Sequence, residues 1–176
     1  LYREISNLMM KGFKNKEISL HDDWNLKLIT KYYDPMYNYK FEDSDKEFRW
    51  LAQEFENHPL PSFLTGLSLW WQIDAQSGKI NGSPKELDDK FLSRMDKTID
   101  QAYEIYMNGN IIDGAFFLAA SYAFKARLLA DRKKWTQSTF AVRNAIKYLK
   151  EIKKNKLMIP EIDFGNGLFN YYSVWI

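Results

Sequence analysis

Apolar residues return at helical spacing along most of this chain. Phe48, Leu51, Ala52 and Phe55 fall at i, i+3, i+4 and i+7, one face of a helix. Phe91, Met95, Ile99, Ala102, Tyr103 and Tyr106 extend the same pattern, and Val142, Ala145, Ile146 and Leu149 repeat it. Phe63, Leu64, Leu67, Trp70 and Trp71 make a broader stripe. The stretch from Ala115 to Ala130 is apolar around most of its circumference, which predicts burial on two sides. No segment alternates with the period of a half-buried strand.

The breaks between these stripes agree with helices. Asp34-Pro35 reads as a cap followed by a first helical residue, and His58-Pro59 with Leu60-Pro61 brackets another helix start. The run Ser77-Gly78 through Asn81-Gly82-Ser83-Pro84 is a loop, with Ser83 as a cap for the next helix. Asn108-Gly109-Asn110 ends a helix, Asp131 to Lys134 forms a polar turn, and Pro160 opens the last segment. The predicted helices are 2–12, 22–33, 35–40, 43–57, 60–76, 85–107, 111–131, 135–153 and 160–175. Long helices joined by short loops imply antiparallel neighbours.

The hairpins carry a repeat signal. A tetratricopeptide hairpin needs a large residue near the start of its first helix, a small one about four residues on, an aromatic at the turn and small residues at two points of the second helix. Tyr122, Ala126, Leu129, Trp135 and Ala145 fall at those spacings, and Ser138 takes the remaining small position. Helices cross closely only where a side chain is short, and an aromatic fills the wedge between them. A looser copy runs through Phe41, Ser44, Phe48 and Leu51-Ala52 to Pro59. A third hairpin, 60–107, has an over-long loop from Ser77 to Pro84, so the repeat is degenerate. The expected fold is all-α: a tetratricopeptide-like solenoid of antiparallel helix pairs in a right-handed superhelix, with a non-repeat helical bundle as the alternative. One domain spans 1–176, and the pattern does not decide whether the N-terminal helices of 1–33 belong to the repeat.

Composition narrows the function classes. Aromatics reach 16%, far from a disordered chain, and with 25 basic against 23 acidic residues the net charge of +2 gives no case for nucleic acid. The absence of cysteine removes disulfides, thiol catalysis and thiolate metal sites. No run approaches the roughly 20 apolar residues of a membrane span. The chain begins at Leu1, and the apolar stretch Leu168 to Ile176 ends without a cap, which suggests a fragment of a longer protein.

Three stretches carry a resemblance: His58-Pro59-Leu60-Pro61-Ser62-Phe63-Leu64 with Trp70-Trp71, the run Ala115 to Phe124, and Phe164-Gly165-Asn166-Gly167-Leu168-Phe169-Asn170-Tyr171-Tyr172. In these the chain resembles a family of uncharacterised tetratricopeptide-repeat proteins from Bacteroidetes bacteria, over about residues 34 to 176. The resemblance implies export towards the periplasm or outer membrane, a possible membrane-associated assembly, and a chain that continues past the tyrosine pair. No catalytic residues come with it.

Several constellations invite chemistry and each has a plainer reading. His21, Asp22 and Asp23 lack the ligand spacing of a zinc helix and read as a helix start. Glu42, Asp43 and Asp45 read as a solvated first turn rather than an acid/base pair. Gly165-Asn166-Gly167 lacks the residues of a phosphate loop. Arg132-Lys133-Lys134 and Lys153-Lys154-Asn155-Lys156 sit at predicted helix C-termini, where cations suit the dipole, though they could also meet an acidic partner or lipid headgroups. Adjacent aromatics, Trp70-Trp71 and Phe116-Phe117, point about 100° apart, so one of each pair must pack on a second layer or line a groove. On the groove reading Trp71, Phe117, Ser121 and Lys125 line it. The expectation is a non-catalytic scaffold for a protein or peptide partner, without metal, cofactor or nucleic acid. The alternative is a small-ligand-binding or enzymatic helical domain with a pocket around Trp70, Trp71 and Tyr172.

Overall fold

The computed structural model describes residues 35, 38, 40–77 and 84–154. Every regular element among them is an α-helix: α1 (Phe41–Glu54), α2 (Pro59–Ser77), α3 (Lys85–Met107), α4 (Ile111–Asp131) and α5 (Trp135–Lys154). The predicted helices at 2–12, 22–33 and 160–175, with most of 35–40, lie outside the described residues. None of the five is long and apolar enough to cross a membrane.

Local chemistry sets the helix ends. α1 starts two residues before the expected 43 and stops at Glu54, where the Phe55 amide closes onto the Leu51 carbonyl and His58 onto Phe55. α2 starts at Pro59, whose missing N–H costs nothing in the first turn, and the His58 Nδ1 accepts the Leu60 amide at 3.1 Å. The predicted cap Ser83 lies outside the described residues; α3 begins directly after Pro84. Gly109, at φ +100°, turns the chain between α3 and α4 in a conformation that side chains resist. Asn110 then caps α4, its side chain accepting the Asp113 amide at 3.3 Å.

Each helix packs on its sequence neighbours, α1 on α2, α2 on α3, α3 on α4 and α4 on α5, with a smaller contact between α2 and α4. One core runs through the stack, from Phe48 and Leu51 through Leu64, Phe91, Met95 and Phe117 to Tyr148 and Ile152. α4, predicted to be buried on two sides, lies between α3 and α5 and also touches α2. Two predicted core positions are exposed. Ala52 faces solvent because it lies about 70° round α1 from the buried line of Ser44, Phe48 and Leu51. Tyr103 lies one residue outside the buried α3 line of Phe91, Met95, Thr98 and Ala102.

Short side chains mark the close crossings. Ala126 and Ala145 are both buried, and the Ser138 hydroxyl donates to the Ala126 carbonyl at 2.9 Å, tying α5 to α4. Gly114 lies so close to α3 that a Cβ there would fall 2.6 Å from the Tyr106 Cβ and 2.7 Å from its backbone nitrogen and Cα. Leu129 is buried, and the half-buried Tyr122 stacks on Tyr148 with centroids 6.2 Å apart. Trp135 departs from expectation. It does not fill a wedge but stands 60% exposed. α5 buries the line Ser138, Ala141, Ala145, Tyr148 and Ile152, and position 135 lies about 100° round the helix from it.

Candidate functional site

The four residues expected to line a groove separate into two pairs. Phe117 and Ser121 sit one turn apart on α4 and both are fully buried. The Phe117 ring meets Phe63 at 5.6 Å, His58 at 5.8 Å and Phe116 at 5.4 Å, all edge-on. These two positions are therefore core and line no groove; their face of α4 is turned towards the start of α2. Trp71 is half-buried on α2, and Lys125 reaches from α4 to an ion pair with Asp96 of α3. Trp70 is half-buried, and its ring packs against Phe91 at 5.7 Å and Phe124 at 5.6 Å. Tyr172 lies outside the described residues.

Where Phe117 is buried, the structure gathers polar groups that the sequence keeps apart. Asp113 is 2% exposed, and its Oδ2 accepts from the Asn110 side-chain amide at 2.9 Å. Its Oδ1 is buried and has no hydrogen-bond partner among the described residues, as is the case for the Gln101 Oε1 and the Ser121 hydroxyl. The Gln101 amide donates to the Glu56 carbonyl at 2.7 Å and so ties α3 to the α1–α2 turn. Burial pushes the His58 imidazole below its usual pKa, and the Asp113 carboxylate opposes that shift in part.

The His58 imidazole and the Asp113 carboxylate lie close enough to interact, but with Ser121 they make no relay. A relay needs the histidine Nδ1–H to donate to the carboxylate. Here the His58 Nδ1 is an acceptor, taken by the Leu60 amide. Asp113 and Ser121 lie eight residues apart on one helix, about 12 Å along its axis. Asn110 caps α4, and Gln101 pins the α1–α2 turn.

The other constellations are accounted for by their surroundings. Glu42 and Asp43 are exposed, with Asp43 in an ion pair to Lys46 at 3.4 Å, as a solvated first turn requires. Asp45 departs from that reading, since its Oδ1 accepts the Ser68 hydroxyl at 3.2 Å and joins α1 to α2. Arg132 does more than end α4. Its Nε and Nη2 contact the two Asp88 carboxylate oxygens at 2.6 and 3.0 Å, a long-range pair that no local spacing announces. That bond holds the Arg132 guanidinium above its usual pKa. Among the described residues no group of three or more histidines and carboxylates could hold a metal ion. His21, Asp22, Asp23 and the Gly165-Asn166-Gly167 run lie outside the described residues.

The surface carries features that sequence reasoning missed. Tyr103, Met107 and Ile111 are exposed around the tip of the α3–α4 hairpin, and Trp135 and Phe140 are exposed on α5. The signal was the register: each lies outside the line of buried positions on its own helix.

These helices place the described chain in the all-α class. A family profile described as the tRNA 2-selenouridine synthase AAA domain matches residues 1–57, the first third of the chain, which is mostly outside the described part. No curated protein and no solved structure matches the chain.

Proposed function

We propose that the chain is a binding scaffold without chemistry of its own: hairpins of tetratricopeptide type, wound as a right-handed solenoid, that present side chains to a protein or peptide partner. The neighbour-on-neighbour packing of the five helices supports this, because repeat stacks bury their core in that way. The crossing of α4 and α5 on Ala126, Ser138 and Ala145 supports it at the spacings such a hairpin needs. The observation that carries the functional part is the set of large apolar side chains left in solvent, with Met107 at 63% and Phe140 at 67% exposure. Trp71 and Lys125 stay in the proposed contact set, while the buried Phe117 and Ser121 leave it. By its family resemblance the assembly belongs in the periplasm or at the outer membrane.

Affinity capture with the full chain tests this, alongside a variant carrying Tyr103→Ala, Met107→Ala and Phe140→Ala. The expected result is a partner retained in near-stoichiometric amount by the wild type and lost by the variant. Retention of the same partner by the variant, or turnover of a small molecule with no partner found, would refute the scaffold.

A second reading starts from the profile match. On it, residues 1–57 are the remnant of an AAA domain of a tRNA-modifying enzyme, and the helices serve that enzyme. Residues 1–57 hold a single glycine, Gly12, and no GxxxxGK[ST] phosphate loop, which weighs against it. Calorimetry with ATP decides between the two, since micromolar binding by the full chain would favour the enzyme.

A further inference from the structure

Net charge conceals how unevenly this chain is charged. Residues 132–154 hold eight basic residues and one acidic, a net +7, so the rest of the chain carries −5 to reach the total of +2. α5 concentrates that charge on one line. Phe140, Arg143, Lys147, Lys150 and Lys154 recur at three- and four-residue steps, which places them on one side of the helix, opposite the buried line of Ser138, Ala145 and Ile152.

The cations of this line also differ from those elsewhere. On or just after the other helices six cations meet carboxylates, Lys46 with Asp43, Lys85 with Asp89, Lys90 with Glu86, Lys125 with Asp96, Arg127 with Asp131 and Arg132 with Asp88, while Arg49, Arg94 and Lys97 form no ion pair with any described residue. On α5 only Lys154 is so matched, by Glu151 at 2.7 Å, and Lys147 lies 5.0 Å from the ring of Tyr148. Arg143 and Lys150 form no ion pair with any described residue. Arg143, Ile146, Lys147 and Lys150 border an open depression together with the paired Glu151 and Lys154, and Phe140 stands exposed one turn before it.

We propose that the outer face of α5 is the docking surface for an acidic segment of a partner protein, with Phe140 as its apolar anchor and Arg143 and Lys150 as its main charge contacts. The proposal rests on the scaffold reading and names the chemistry of the partner. Charge complementarity gives the sign, and the apolar anchor beside arginine is the composition of a protein contact. Length favours a short peptide segment over nucleic acid. From Arg143 to Lys154 the cation line spans about 16 Å. A nucleic-acid strand running beyond it would meet a remainder of net negative charge, whereas an acidic segment of matching length meets only the line.

Fluorescence anisotropy tests this with the full chain and a labelled peptide of about a dozen residues, mostly Glu and Asp with one Phe, set against single-stranded RNA of equal charge and vesicles containing phosphatidylserine. The expected result is that the peptide binds more tightly than RNA or vesicles, and less tightly as salt rises. Arg143→Glu with Lys150→Glu should weaken peptide binding by about tenfold or more, and Phe140→Ala should weaken it with the charge unchanged. Lys85→Glu with Lys90→Glu, on α3, should leave it within about twofold. All these positions are exposed, and circular dichroism of each variant should match the wild type. Equal peptide binding by the α5 variants, tighter binding of RNA or vesicles, or self-association of the chain in place of peptide binding would each overturn the proposal. A partner captured equally by the wild type and the Arg143→Glu, Lys150→Glu variant would overturn it too, yet leave the scaffold standing.

Discussion

Replacing Gly114 by alanine adds one methyl group to a buried position on α4, where α3 passes at its nearest. The added carbon would lie 2.6 Å from the Tyr106 Cβ and 2.7 Å from that residue's nitrogen and Cα. Carbon atoms rest at about 3.5 to 4.0 Å, so the helices must part by roughly an ångström. Backbone cannot rotate aside as a side chain can, and overpacking of this kind costs about 1–3 kcal/mol. Alanine returns about 1 kcal/mol through its better helix propensity. With backbone as the obstruction the cost falls in the upper part of that range, about 2–3 kcal/mol, so the net expectation is a loss of about 1–2 kcal/mol, or a fall in Tm of about 2–8 °C for a chain of this size. Urea unfolding followed by circular dichroism reads this as a lower midpoint at unchanged slope. Gly66→Ala is the matched comparison. There the obstruction is the terminal methyl of Met95, the far end of a flexible side chain, so the propensity gain should survive and the variant should lie near or above the wild type. If Gly114→Ala proves as stable as the wild type, α3 and α4 do not close on Gly114 and the tight-crossing argument fails.

Ala126→Leu should be costlier, by about 2–3 kcal/mol in the same assay, because the α4–α5 crossing already brings Ser138 to the Ala126 carbonyl at 2.9 Å. Asp88→Asn should cost about 1–3 kcal/mol, since the Arg132 guanidinium loses the charged half of a largely buried pair. His58 gives a pH dependence. Its folded pKa lies below the ordinary 6.5, so from about pH 6.5 downward the unfolded chain binds a proton that the folded chain resists. Stability present at pH 7.5 should decline as the pH falls through 6.5 towards the folded value, and His58→Gln should flatten that part of a denaturation-against-pH profile. An unchanged slope in the variant would remove His58 from the account.

The helices were legible because their signals are local. The 85–107 and 111–131 predictions coincide with α3 and α4, where Asn108-Gly109-Asn110 supplies both a turn and a cap. The burial of Ala126, Ser138 and Ala145 was legible too, since a small residue at a crossing is fixed by spacing alone. The groove was not. Phe117 and Ser121 were assigned to a surface by analogy with where repeat scaffolds bind, and periodicity cannot say which side of an all-round apolar helix meets which neighbour. Trp135 shows the same limit from the other direction: the spacing was right for a wedge, but the rotation of α5 about its axis, set by tertiary packing, carried the ring outward. The Asp88–Arg132 pair joins residues 44 apart in sequence, a separation over which pattern carries no information.

The adjacent aromatics show what that rotation achieves. A helix with a single neighbour can bury only one member of such a pair, because the two side chains diverge by about 100°. Phe117 is fully buried towards Phe63 and His58, while Phe116 is only partly covered and packs on the rim of the same core. Trp70 likewise engages two helices, meeting Phe91 of α3 and Phe124 of α4. α2 and α4, which carry these pairs, each pack against helices on either side and also touch one another. α1 and α5 carry no adjacent aromatic pair, and apart from Trp135 and Phe140 their exposed positions are mostly polar. A richly aromatic chain is therefore what a layered stack demands of its inner members. The surplus aromatics that matter for binding are those the stack leaves over, at Tyr103 on α3 and at Trp135 and Phe140 on α5. On α5 they stand on the helix whose cations have the fewest partners, and it is this coincidence that directs the search for a ligand to that face.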